Sequence, residues 1–132
     1  MARLKWRAPV SPDGANFAEW LSALRGQGHN GVYLIRDART REVVYVGESH
    51  TGRLYETLTR HLYAWNGKGS GPSYPPEAVE VAIIVAETQL DDPIADQYAL
   101  IQELEPRDNI MDGHTLWWRM VTRRKGHAVG QE

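Results

Sequence analysis

Residues 31–65 read GVYLIRDARTREVVYVGESHTGRLYETLTRHLYAW. Gly31 to Ile35 and Val43 to Gly47 are short apolar runs rich in β-branched and aromatic residues, the composition of strands. Between them, Arg36 to Glu42 is too polar for a core element and short enough for a hairpin loop. After Gly47 the period changes. Leu54, Leu58, Leu62 and Trp65 recur at helical spacing, so the stretch predicts strand, strand, helix.

Downstream, Asn66 to Pro72 is rich in glycine and has little to bury, and with Ser73-Tyr74-Pro75-Pro76 it forms a long connection. It lacks the preceding strand and following helix of a phosphate-binding loop. Val79 to Ala86 (VEVAIIVA) is almost continuously apolar, as a central strand buried on both faces would be. Asp92-Pro93 starts a helix, with Asp as N-cap and Pro at the first helical position. Ile94, Tyr98, Ile101 and Leu104 mark its expected inward stripe, and Pro106 stops it. Leu116 to Val121 is either a last strand or a packing arm.

Upstream, Leu4, Trp6 and Ala8 alternate with Arg3, Lys5 and Arg7, which predicts a half-buried edge strand ended by the turn Ser11-Pro12-Asp13-Gly14. Phe17, Trp20, Leu21 and Leu24 then fall on one helical face. Asn16 with Glu19 has the spacing of a capping box, and Gly26 and Gly28 close the helix. The sum is a small α/β domain. Its central, largely antiparallel three-stranded sheet is flanked by helices, and an extra helix precedes it. Residues 1–30 form an extension packed on the core, 31–110 the domain itself, and 111–132 an arm with a basic tail.

Composition narrows the chemistry. The chain has 132 residues, enough for one domain and one core. It contains no cysteine, which excludes disulfides and thiolate zinc sites. The histidines His29, His50, His61, His114 and His127 lack metal-ligand spacing, so zinc is not expected. No run is apolar and long enough for a membrane span. The basic start of the chain is not followed by the apolar region of a secretion signal, and the cytoplasm is the expected compartment. The net charge of −2 is unlike that of a nonspecific nucleic-acid coat. Acids crowd between Glu87 and Asp112, whereas Arg119, Arg123, Arg124 and Lys125 cluster in the tail. Such asymmetry steers a phosphate backbone to one face.

Gly31-Val32-Tyr33 followed by Tyr45-Val46-Gly47 at hairpin separation resembles the paired signature of the GIY-YIG endonuclease family. The arginine-bearing helix that follows, and the later helix leading into Pro106-Arg107-Asp108-Asn109, resemble the family's remaining pieces. The likeness spans roughly residues 31–109. It implies hydrolysis of DNA phosphodiester bonds with one Mg²⁺ or Mn²⁺ ion. Tyr33 is then the candidate general base, with Tyr45 lining the same site. The family's arginine position is occupied by Tyr55, which leaves Arg53 and Arg60 as the available cations. On a helical wheel these point the same way, and Arg53 is preferred because the first turn lies nearest the strand ends. His61, beside Arg60, lies near the place where family members often carry a histidine. Asn109 matches the closing asparagine, and Gly31 and Gly47 hold the two triplets in place. Arg123 and Arg124 are candidate phosphate contacts.

The expected metal-binding glutamate is Gln97 here. Three consequences stay open: a weak site built from Gln97 and water, a substitute carboxylate (Glu48 or Asp96), or a domain that no longer cuts. His50 is a further candidate proton carrier. Three functions follow: a metal-dependent endonuclease, a module that binds nucleic acid without cutting it, and a protein-interaction domain anchored by Trp117 and Trp118.

Overall fold

The computed structural model describes residues 4–62 and 72–109. Strand β1 (Gly31–Asp37) lies at the centre of a three-stranded sheet, between β2 (Val43–Ser49) and β3 (Val79–Val85). Both pairings are antiparallel. The expected three-stranded sheet is therefore present, but β1 takes the central position that composition assigned to the third strand. The difference follows from edge cover. β3 is protected on its outer edge by Arg7, which exchanges backbone hydrogen bonds of 3.0 and 2.8 Å with Val81. An apolar strand can lie at the margin of a sheet when such a segment shields it.

The β1–β2 connection is a polar turn, with the Asp37 carboxylate accepting from the Arg39 and Thr40 backbone at 2.8 Å. The pairing register then runs from Ile35↔Tyr45 to Gly31↔Ser49. Side chains alternate across β1, so the sheet has two different faces. Tyr33 and Ile35 join Leu54, Leu58 and Leu62 on one face. Val32 and Leu34 join Leu100 and Ile101 on the other.

Helix α1 (Glu19–Ser22) is a single turn, shorter than the expected amphipathic helix. Phe17 is drawn into an isolated bridge with Val10, and Ala18 becomes the N-cap without a side-chain bond, so the Asn16–Glu19 capping box does not form. Trp20, Leu21 and Leu24 still pack on the Tyr33 face. The edge strand expected in the first ten residues reduces to these bridges, with Leu4 and Trp6 packed on the opposite face.

Helix α2 (Leu54–Thr59) ends before Leu62. His61 and Leu62 donate to Leu58 and Thr59 at 3.0 and 2.9 Å, the i→i+3 bonds of a tightened last turn. Helix α3 (Pro93–Leu104) starts as expected: the Asp92 side chain accepts from the Ile94 and Ala95 backbone at 3.1 and 3.2 Å. Its inward stripe is shifted, with Pro93, Leu100 and Ile101 buried and Ile94 38% exposed. Proline at the first position is buried, and the next residue, Ile94, turns outward. Trp65, most of the glycine-rich connection and the arm with Trp117, Trp118, Arg119, Arg123, Arg124 and Lys125 lie outside the described residues.

Candidate active site

The two triplets lie side by side because Tyr33 pairs with Gly47 across β1 and β2. Both triplet glycines answer to close approach. A Cβ on Gly31 would strike the Ile84 carbonyl and Val85 backbone of β3, and one on Gly47 would strike the Tyr33 ring at Cζ and Oη. Gly47 thus supplies the floor on which the Tyr33 ring lies.

Tyr33 is 3% exposed, yet its hydroxyl is not surrounded by hydrocarbon. It lies 3.0 Å from His61 Nε2 and 3.4 Å from the Thr57 carbonyl oxygen. The other ring nitrogen, His61 Nδ1, is 2.7 Å from the Pro72 carbonyl oxygen. A carbonyl only accepts, so Nδ1 carries a proton in either charge state. In the neutral ring Nε2 is therefore the bare nitrogen, and the Tyr33 hydroxyl donates to it. When His61 is charged, Nε2–H donates to the phenol oxygen and the phenol proton turns to Thr57. Tyr45 completes the cluster, its ring centroid 4.6 Å from His61 and 6.4 Å from Tyr33.

Electrostatics fix the resting protons. Burial pushes the Tyr33 phenol above the ordinary tyrosine range, helped by Tyr45 and Glu48, while the Thr57 bond and the Arg60 charge oppose it. Burial likewise pushes His61 below its ordinary value, against the Pro72 carbonyl and with the Arg60 charge. Ordinary phenol and imidazole values differ by about 3.5, roughly 5 kcal/mol, and burial widens that gap from both sides. The resting pair is a neutral phenol and a neutral imidazole.

Of the two candidate cations, Arg60 is the one whose charge acts on Tyr33 and His61. The helical-wheel comparison fails because Arg53 is not in the helix. It is the N-cap residue, with φ −125°, and its N–H donates to Ser49 Oγ at 2.9 Å. Both guanidinium-bearing residues are exposed. Arg60 follows the last helical residue, beside His61, and Arg53 precedes the first.

Gln97 is half-buried, and its partner is backbone. Its Nε2 donates to the Val46 carbonyl at 3.2 Å. Asn109, 1% exposed, binds the same residue twice, accepting from Val46 N–H at 2.8 Å and donating to its carbonyl at 3.0 Å. Asp108 N–H adds a bond of 2.9 Å to the Val44 carbonyl. The Pro106–Asn109 segment thus closes the outer edge of β2 as a neighbouring strand would. Asp96 is exposed on the first turn of α3. Glu48 accepts from His50 Nδ1, its two carboxylate oxygens 3.0 and 3.2 Å away.

This donor set does not fit the Mg²⁺ or Mn²⁺ site that the resemblance implies. Such cations take several oxygen ligands, usually with carboxylates among them. Here the expected ligand is a neutral amide whose nitrogen is bonded to the Val46 carbonyl, and both oxygens of the substitute carboxylate Glu48 face His50 Nδ1. Among the described residues no three His, Asp or Glu side chains converge as a metal centre would need.

One part of the arrangement was not anticipated from sequence. Tyr74 is buried against the Tyr33 cluster, its N–H donates to the His61 carbonyl at 2.7 Å, and its hydroxyl donates to Asp108 Oδ2 at 2.5 Å. The available signal was an aromatic residue between a glycine run and two prolines, a place where a solvated linker has no use for one. No family model, curated protein or solved structure matches the chain.

Proposed function

We propose that this domain hydrolyses phosphodiester bonds in DNA, with Tyr33 and His61 as its proton-transfer pair. The observation that carries the reading is the 3.0 Å contact between the Tyr33 hydroxyl and the bare nitrogen of His61. A phenol is a poor base at neutral pH unless its own proton has somewhere to go. In the reading, water attacks phosphorus and gives a proton to the Tyr33 oxygen as the phenol proton passes to His61 Nε2. The new P–O bond forms as the bond to the leaving sugar oxygen breaks, and that oxygen takes a proton from solvent. Concerted transfer avoids a free buried phenolate, the species that the cost above disfavours. Arg60, with Arg53 as the second cation, holds the phosphate through charge-assisted hydrogen bonds. The likeness of the two triplets to the GIY-YIG signature supports the same assignment.

The side chains described do not assemble the metal site that the resemblance implies. That misfit, together with the burial of Tyr33, favours a second reading: a module on the same scaffold that binds nucleic acid without cutting it. Its affinity would be salt-sensitive and indifferent to divalent ions. The protein-interaction reading depends on Trp117 and Trp118, outside the described residues. Among the described residues no helix is long and apolar enough to cross a membrane.

Incubation with branched and nicked DNA, with Mg²⁺, with Mn²⁺ and with chelator, separates the two readings. The nuclease reading expects cleavage by the wild type, reduced by about 10²–10⁴-fold in Tyr33→Phe, the usual contribution of a positioned acid or base. Binding without cleavage at high protein concentration, or equal cleavage by Tyr33→Phe, overturns it.

A further inference from the structure

The imidazole that faces Tyr33 is held from a distance. His61 Nδ1 donates to the carbonyl of Pro72, 11 residues away in the chain. Two residues beyond Pro72, Tyr74 runs its side chain to Asp108 Oδ2, 34 residues away. Asp108 is itself fixed three times. Arg107 donates to its two carboxylate oxygens at 2.8 and 2.9 Å, and the Asp108 N–H donates to the Val44 carbonyl of β2 at 2.9 Å. The Tyr74 N–H donates to the carbonyl of His61 at 2.7 Å, so this short segment grips His61 by both backbone and ring.

These links run in one direction. β2 fixes Asp108, Asp108 fixes Tyr74, and Tyr74 fixes the segment whose Pro72 carbonyl keeps the proton on His61 Nδ1. A neutral imidazole has one proton and two places for it. Only the Nδ1–H form presents a bare nitrogen to Tyr33. With the Pro72 carbonyl displaced, the other tautomer becomes accessible, and its Nε2–H cannot take a phenol proton. Without this device, a neutral histidine is free to present Nε2–H to Tyr33.

We propose that Asp108 and Tyr74 are positioning residues that set the tautomer of His61 through the Pro72 carbonyl. The proposal rests on the nuclease reading only for its kinetic consequence; the tautomer is a property of the folded protein alone. It assigns a role to the aspartate beside Asn109 and to a tyrosine in a segment that otherwise reads as a connection. Tyr74→Phe removes the bond and keeps the buried ring, and Asp108→Asn keeps an oxygen that can still accept from Tyr74.

The test is long-range ¹H–¹⁵N correlation spectroscopy of the full chain at pH 8, where His61 is neutral. The His61 signals are assigned by their absence from His61→Gln. The wild type is expected to show a protonated Nδ1 and a bare Nε2. In Tyr74→Phe and Asp108→Ala the two nitrogen shifts should move toward each other as the tautomers mix, and Asp108→Asn should stay near the wild type. Where the wild type cleaves DNA, Tyr74→Phe should lose roughly 10-fold in kcat at unchanged KM, the mark of a misplaced group and not of weaker binding. A wild-type Nε2 that carries the proton, or a Tyr74→Phe spectrum identical to wild type, overturns the proposal. A tautomer shift in a protein that never cuts DNA would sustain the positioning role and remove the nuclease reading. Cleavage with unaltered tautomer and kcat in Tyr74→Phe would do the reverse.

Discussion

The two faces of the sheet are made from the same three strands and solve opposite problems. On the α3 face, Val32, Leu34, Val46, Ala82, Leu100 and Ile101 form a core of hydrocarbon. On the α2 face the buried layer includes Leu54, Leu58 and Leu62 but also the phenols of Tyr33 and Tyr74 and the imidazole of His61. A buried polar group is tolerated only when its hydrogen bonds are made. The α2 face meets that condition with a partner for each group: His61 Nε2 for Tyr33, the Pro72 carbonyl for His61 and Asp108 for Tyr74. Both faces bury hydrocarbon, and the α2 face adds polar groups held in a pre-arranged setting. Residues adjacent in β1 belong to different faces, so stability and chemistry can be altered separately.

The largest expected difference comes from truncating the hydrocarbon face. Ile101→Ala should cost about 2–5 kcal/mol of unfolding free energy, the usual range for an emptied core position. The His61 tautomer should stay as it is in the wild type, read by denaturant titration and by the nitrogen spectrum. Next comes Gly47→Ala. Its new Cβ falls on the Tyr33 ring, so the ring must shift away from His61. Overpacking of this kind costs about 1–3 kcal/mol, and unlike Ile101→Ala it should also disturb the His61 signals. A Gly47→Ala protein with wild-type stability and spectrum would break the claim that Gly47 is the floor of the site.

Gln97→Glu tests the edge between the faces. A carboxylate at 97 cannot donate to the Val46 carbonyl, and two acceptors would face each other. The expected cost is about 1–3 kcal/mol at neutral pH, measured by denaturant titration in chelator. The loss should shrink in acid, where the carboxyl group can donate. The smallest effect is the pH dependence that His61 brings. Its folded pKa lies below the ordinary value, so the unfolded chain binds more protons as the medium becomes acidic. Its contribution is complete above about pH 6.5 and is lost as pH falls through the folded value, at about 1.4 kcal/mol for each unit between the two. His61→Gln should flatten that part of the stability profile, and a profile unchanged by this substitution would show that His61 is not held neutral.

Legibility in the sequence followed the range of the interaction. The hairpin, the third strand and the capped start of α3 were readable because alternation, turn chemistry and an Asp-Pro pair act over a few residues. The triplet glycines were legible only through the family resemblance, because the close approaches they permit are to residues remote in the chain: Gly31 to Ile84 and Val85, and Gly47 to Tyr33. The helical wheel did not locate Arg53, because a wheel assumes continuous helix and its φ of −125° places it before the first turn. Ile94 was misjudged because Pro93 took the inward position at the helix start. His61 was noted for its place beside Arg60, yet nothing nearby in the chain indicated that its ring would meet Tyr33.

What the amino-acid order determined by itself was therefore a set of local elements and the alternation that sends Tyr33 to one face and Val32 to the other. Tertiary structure alone decided the partners: Tyr33 with His61 across 28 residues, Tyr74 with Asp108 across 34, Gln97 with Val46 across 51 and Asn109 with Val46 across 63. Helical and strand periodicities arise from bonds between near neighbours. A hydrogen bond between remote groups exists only after packing has excluded water and brought donor and acceptor within reach.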